Sequence, residues 1–390
     1  MLGHLQRGDG GHARQELPNR HPRRKRAHRR VYTSTMFSRA KLTGLAFGLA
    51  VATDAAAQVP LEILARARVF PELGAGVTAI RARGAGAERR YFVLAPMPGA
   101  TRPEYRIQVF DPAGKRAGCI PACPNAAPPS PTATSPSPNL QKAGEASSAA
   151  LFSGDDFDIS AEGRFYVAER GANAILVLTS EGTRVRTISI AAPTSVAALG
   201  AGEVAVSSMR TPKLVTVFNA EGKVAREFGD PTEVSERPEL NRFLQIGRVA
   251  SDPADHIYYS FSYLPEPTVR KYDRFGYALV QVEQAVPEFQ PAARAARREI
   301  ARQTTGGGAP SMKAVITAIG VDAETQEIWV AIGSELLKFD AEGIRRGAWR
   351  TFTAEGGRLD TSAILVEPTR LLIASDTLGI FEFARPDKMR

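Results

Sequence analysis

The apolar positions of this chain fall in short runs of about five residues, and the same succession of runs returns six times. A short apolar strand is followed by a turn, a second apolar strand, a variable loop, a third strand ending on an aromatic residue and Asp or an equivalent, a Gly turn and a fourth strand. The second strands are Tyr91–Ala95, Phe165–Glu169, Val204–Ser208, Ile257–Phe261, Ile328–Ile332 and Leu371–Ser375. The third strands run into turns at Asp111–Gly114, Thr179–Gly182, Asn219–Gly222, Asp273–Gly276 and Asp340–Gly343. In each, an oxygen-bearing side chain three residues before Gly can hold the turn, and Gly supplies the positive φ that closes the hairpin. The sixth repeat ends on Ile380-Phe-Glu-Phe383 without such a turn.

Four-stranded units that recur at about 40 residues predict an all-β fold, a six-bladed β-propeller. Each sheet can bury its faces only on its neighbours, so the ring must close. The last unit lacks its outer strand, and Leu61–Phe70 is the spare one, so an N-terminal strand is expected to complete blade six beside 380–384. The predicted blades are 76–118, 155–190, 194–229, 247–284, 313–351, and 359–385 with 61–70.

Residues 156–190 carry a resemblance to the NHL-repeat and related six-bladed propellers. Asp156-Phe-Asp-Ile-Ser-Ala-Glu-Gly163, Phe165-Tyr-Val-Ala-Glu169 and Asn173-Ala-Ile-Leu-Val177 follow that family's order of first strand, Gly, "YVAD", "N" and apolar strand, with Glu169 where Asp is usual. The resemblance covers most of 60–385 and implies the fold rather than an activity. Among related propellers, gluconolactonase-like enzymes use Glu, Asn and Asp around a divalent metal, and amidating lyases use several His. Here His256 is the one histidine after residue 57, which departs from the lyase pattern.

The turn glycines also locate extra chain. Gly114, Gly182, Gly222, Gly276 and Gly343 lie 68, 40, 54 and 67 residues apart. The excess over 40 predicts insertions at 119–154, 229–246 and 285–312, each between a fourth strand and the next first strand. The first is Pro- and Ser-rich and is expected to be extended or without regular structure. The second holds a possible helical turn at Glu239–Leu244. The third predicts a helix over Pro291–Gln303, with Pro at its start and Gly306-Gly-Gly308 after it. Fourth-to-first connections and second-to-third loops share one end of a propeller, so all three insertions should decorate that end.

Charge changes little in this picture. The formal net charge is +9, but residues 1–57 hold 11 Lys+Arg against 3 Asp+Glu, whereas 58–390 hold 39 against 38. The nearly neutral body gives no basic surface for nucleic acid. Residues 1–35 form a basic extension. Residues 36–57 read as a signal peptide: Arg39 and Lys41, an apolar stretch from Leu42 to Ala52, then Ala55-Ala56-Ala57 before Gln58. That stretch is too short to span a membrane, and none follows. A periplasmic or secreted monomer is expected. In that setting Cys119 and Cys123 are expected to form a disulfide that stiffens a loop, since two thiols without His cannot complete a zinc site.

Candidate ligand-binding residues come from the second-to-third loops and the third insertion. Arg102, Arg170 and Arg210 belong to successive blades and could grip a carboxylate or phosphate. Asn173, Tyr263 and Asp376 sit in equivalent loops, and Arg298 lies with Arg294 and Arg302 on one face of the expected helix. Asp155, Asp156 and Asp158 head a channel strand, where carboxylates could hold a divalent cation such as Ca²⁺. No Gly-x-Ser-x-Gly, phosphate-loop or dinucleotide motif is present. The expectation is a binding module without catalysis or cofactor that takes a protein, peptide or anionic ligand. The alternative is a metal-dependent lactonase or hydrolase with acidic ligands in the channel.

Overall fold

The computed structural model describes residues 60–97, 104–122, 153–283 and 290–386. The basic extension, the signal-peptide stretch, Arg102, Cys123 and most of the first insertion lie outside the described residues, and with Cys123 the expected disulfide. No helix among the described residues is long and apolar enough to cross a membrane.

Six antiparallel sheets form a β-propeller. In chain order the blades are β3 to β6 (79–120), β7 to β10 (156–189), β11 to β14 (193–228), β15 to β18 (247–283), β19 to β22 (318–352) and β23 to β25 (363–384). First strands approach one another around the axis: β3 meets β7, β7 meets β11, β11 meets β15, β15 meets β19, β19 meets β23, and β23 meets β3. The second strands are buried almost throughout, as in Phe165–Glu169, Ile257–Phe261 and Ile328–Ile332. That burial follows from each sheet being covered on both faces. The apolar side chains accordingly form six clusters, one at each blade-to-blade interface.

The five predicted turns form as read. Gly182 and Gly276 adopt φ of 85° and 95°. The side chain three residues before accepts across the turn: Asn219 Oδ1 accepts from the Glu221 and Lys223 amides at 3.1 and 2.9 Å, and Asp273 Oδ1 from Phe275 and Tyr277 at 2.9 Å. A bulge at the third-to-fourth hairpin shifts the register in each of these five blades.

Ring closure divides the expected N-terminal strand in two. β2 (Ala67–Val69) pairs antiparallel with β25 (Gly379–Ala384), Val69 opposite Ile380, and is the fourth strand of blade six. β1 (Leu61–Leu64) instead runs parallel to β22 (Arg345–Phe352) as a fifth strand of blade five. The chain changes partner across one peptide: the Ala65 amide donates to Phe352 O at 2.9 Å and the Arg66 amide to Glu382 O at 2.7 Å. The reason is burial. Ile63 and Ala65 fill the interface between blades five and six, while Phe70 and Leu73 fill that between six and one.

Two helices grow from the loops. α1 (Pro238–Leu244) buries Leu240 and Leu244, four residues apart on one face. α2 (Gln290–Thr305) buries Ala293, Ala296 and Ile300. They touch each other, and Arg237 ties their insertions by donating to Gln303 O and Gly306 O at 2.9 and 2.8 Å.

Candidate functional site

The channel is lined by first strands. Arg81 on β3 (Ala79–Arg83) donates through Nε to Asp158 Oδ1 at 3.0 Å and through Nη2 to Asp156 Oδ1 at 3.1 Å, both on β7 (Asp156–Ile159). Its guanidinium also lies over the Phe157 ring at 5.6 Å. Burial works against the Arg81 charge, but the two carboxylates outweigh it and hold the guanidinium pKa above its ordinary value. The carboxylates reach onward to blade three. Asp156 Oδ2 accepts from Ser195 Oγ and from the Val196 amide, and Asp158 Oδ2 accepts from the Ala198 amide at 2.8 Å. This arrangement fastens three inner strands together. Asp156 and Asp158 are neutralised by Arg81, and among the described residues no three His, Cys, Asp or Glu side chains are placed to hold a metal ion. The channel cavity, about 140 Å³, is lined by Arg81, Asp156, Asp158 and Arg248 together with aliphatic residues such as Ile319 and Ile364.

The loop-decorated end is different. Arg170, Asn173, Met209, Arg210, Arg242 and Phe243 line a cavity of about 820 Å³, with Glu239 and Pro310 at its border. Its walls come from the second-to-third loops of blades two and three, from α1 and from the third insertion. Two of the three insertions therefore meet at one end, as expected. For the first insertion only its margins are described. One margin is there too, since the Ser153 amide donates to Glu169 Oε2 at 3.3 Å at the end of β8 (Phe165–Glu169).

Of the residues read from sequence, Arg170, Asn173 and Arg210 come together here. Asn173 has a positive φ of 52°, and its Oδ1 accepts from the Ala192 amide at 2.9 Å, so one side of its carboxamide shapes the loop. The Arg210 side chain is exposed and forms no ion pair among the described residues. Tyr263 stands behind the cavity, its ring 4.4 Å from that of Phe243, and burial pushes its phenol pKa up. Arg298 is exposed on α2 and Asp376 is exposed on the blade-six loop; neither lines the cavity. The arginine stripe on α2 is also shorter than its spacing implies. Arg302 is taken by Glu299, lowering the Glu299 carboxyl to about 2, and among the described residues Arg294 and Arg298 make no ion pair. Arg297, on another face, binds Glu266 of the blade-four loop at 3.0 Å.

Sequence reading missed Arg242, Phe243 and Met209. Arg242 and Phe243 had an available sign: Leu240 and Leu244 anchor α1 and turn the residues between them outward.

Behind Arg170 lies the channel mouth. Arg170 Nη2 is 3.1 Å from Asp155 Oδ1, and Arg248 on β15 (Gly247–Ser251) donates to Thr78 O at 3.2 Å. Burial raises the Asp155 carboxyl to about 6; Arg170 and Arg248 pull it down, while Glu169 and Asp156 add to the rise.

No protein-family model matches the chain, and no curated protein matches it in sequence. Solved propellers match it in shape. Virginiamycin B lyase from Staphylococcus aureus is 11% identical with a TM-score of 0.45, over 82% of this chain and 97% of that one. A streptogramin B lyase is 10% identical with a TM-score of 0.45, over 80% and 93%. A nidogen/laminin complex chain is 13% identical with a TM-score of 0.39, over 56% and 70%.

Proposed function

We propose that this chain is an exported propeller that binds a carboxylate- or phosphate-bearing ligand, free or displayed on a protein or peptide, at its loop-decorated end. The observation that carries the reading is the convergence of Arg170, Arg210 and Arg242 on one cavity, three cations against the single carboxylate of Glu239, which lies 3.9 Å from Arg242, with Phe243, Met209 and Pro310 among the rest of its wall. Guanidinium groups match carboxylate and phosphate in pairs of hydrogen bonds. The apolar wall suits the carbon skeleton that carries such a group. Scaffold loops are where propellers and other rigid folds place recognition. The metal-dependent hydrolase reading is less well supported, because Asp156 and Asp158 are already paired with Arg81. Titration of the purified chain with an oligoglutamate peptide at two salt concentrations tests the proposal. Saturable binding that weakens with salt, and falls about tenfold or more in Arg170→Glu and Arg210→Glu, is expected. Equal binding by both variants would overturn it.

A further inference from the structure

Arg170 is the cavity arginine that also reaches the channel mouth. Its Nη2 faces Asp155 Oδ1 at 3.1 Å, while its side chain remains half exposed toward the cavity. The second oxygen of that carboxylate, Oδ2, is shut off from solvent and has no hydrogen-bond partner among the described residues. A carboxylate oxygen buried without a donor is costly when charged and much less so when the group is neutral.

We propose that Asp155 sets the affinity of the arginine cavity, so that the site holds anions more tightly as its surroundings acidify; this rests on the anion-binding reading above. When Asp155 is ionised it cancels the charge of Arg170. When it is protonated, Arg170 presents its full charge to the cavity, and the cavity gains one unit of positive charge. The groups facing Asp155 are Arg170 and Glu169 at the end of β8, Asp156 on β7 and Arg248 on β15, and together with burial they place its carboxyl at about 6. An anion on Arg170 and a proton on Asp155 therefore favour each other, and the coupling is reciprocal. Asp155 touches no ligand in this scheme; it is a positioning residue acting through Arg170.

Isothermal titration of the full chain with sodium sulfate, a dianion across the range used, tests this at pH 5 and pH 7.5 and constant ionic strength. With a carboxyl titrating near 6, Asp155 is about nine-tenths protonated at the lower pH and about one-thirtieth at the upper. The wild-type chain should bind sulfate about threefold to tenfold more tightly at pH 5. Asp155→Asn, a neutral replacement of the same shape, should bind tightly at both pH values, and Asp155→Ser should do the same. Arg170→Gln should bind weakly with a flat profile. Parallel pH profiles in the wild type and Asp155→Asn would overturn the role of Asp155. If sulfate binding depends on Arg210 but not on pH, the role of Asp155 falls and the arginine site stands. If no variant and no pH gives binding, both fall.

Discussion

The ring of Phe243 lies 4.4 Å from the ring of Tyr263 with an interplanar angle of 33°, joining an inserted helix to a loop of the scaffold beneath it. Through this contact α1 is held against blade four, and Arg242 beside it is carried to the cavity wall. An aromatic pair adds roughly 0.5–1.5 kcal/mol beyond its buried area. Phe243→Ala is expected to cost about 1–2 kcal/mol in urea unfolding and to weaken oligoglutamate binding although no charge is removed. Unchanged binding would mean that the α1 position does not matter to the site.

Removing the channel arginine should cost more than removing any surface charge. Arg81→Met leaves the buried Asp156 and the partly buried Asp158 without their cation, a change worth about 3–5 kcal/mol. Replacing both carboxylates as well, in Arg81→Met/Asp156→Asn/Asp158→Asn, should recover much of that loss, because the uncompensated charge is then gone. Denaturant midpoints of the two variants check this, and additive losses would contradict it.

Stability should depend on pH through Asp155. Its folded carboxyl is raised from 3.8 to about 6, so its contribution is complete below about 4 and is lost as pH rises through about 6. Asp155→Asn removes that loss. Allowing for partial solvent screening, the variant should be more stable than wild type by about 1 kcal/mol at pH 8, with the difference vanishing near pH 4. Thermal unfolding at the two pH values gives the comparison, and a constant difference would contradict the assignment.

Deletion of residues 1–70 removes β1 and β2 and with them Ile63, Ala65 and Phe70, all buried. Large buried side chains cost about 2–5 kcal/mol each when lost, so the truncated chain should lose at least about 5 kcal/mol. Hydrogen exchange should show Ala363–Val366 and Gly379–Ala384 opening ahead of the other blades. Uniform exchange across all blades would mean that closure is not local to blade six.

The blades were legible because turn chemistry is local. Asp, Asn or Thr three residues before Gly reports a hairpin without knowledge of anything distant, and the strand order follows from repetition. What was not legible depends on pairs far apart in the chain. Arg81 lies 75 and 77 residues before its two partners, so the carboxylates read as free ligands. Leu61–Phe70 reads as one uninterrupted strand, and nothing within it marks Ala65 as the point where the chain changes sheets. Similarly, the cavity draws Arg242 and Phe243 from an insertion whose position in space is fixed by Leu240 and Leu244 rather than by any motif.

The split N-terminal strand also dictates a history for each molecule. Residues 61–69 leave the ribosome before any of the blades, yet their partners in β22 and β25 are made about three hundred residues later. Until then the segment has no sheet to join, and blade six cannot finish without it. The five complete hairpin repeats can assemble in order of synthesis, whereas the final seam joins the segment before the first blade to the strands of the last two blades. A newly made molecule therefore passes through an open-ring stage in which the outer edges of blades five and six are both uncovered, and that stage is where a second copy or a chaperone would find backbone to pair with.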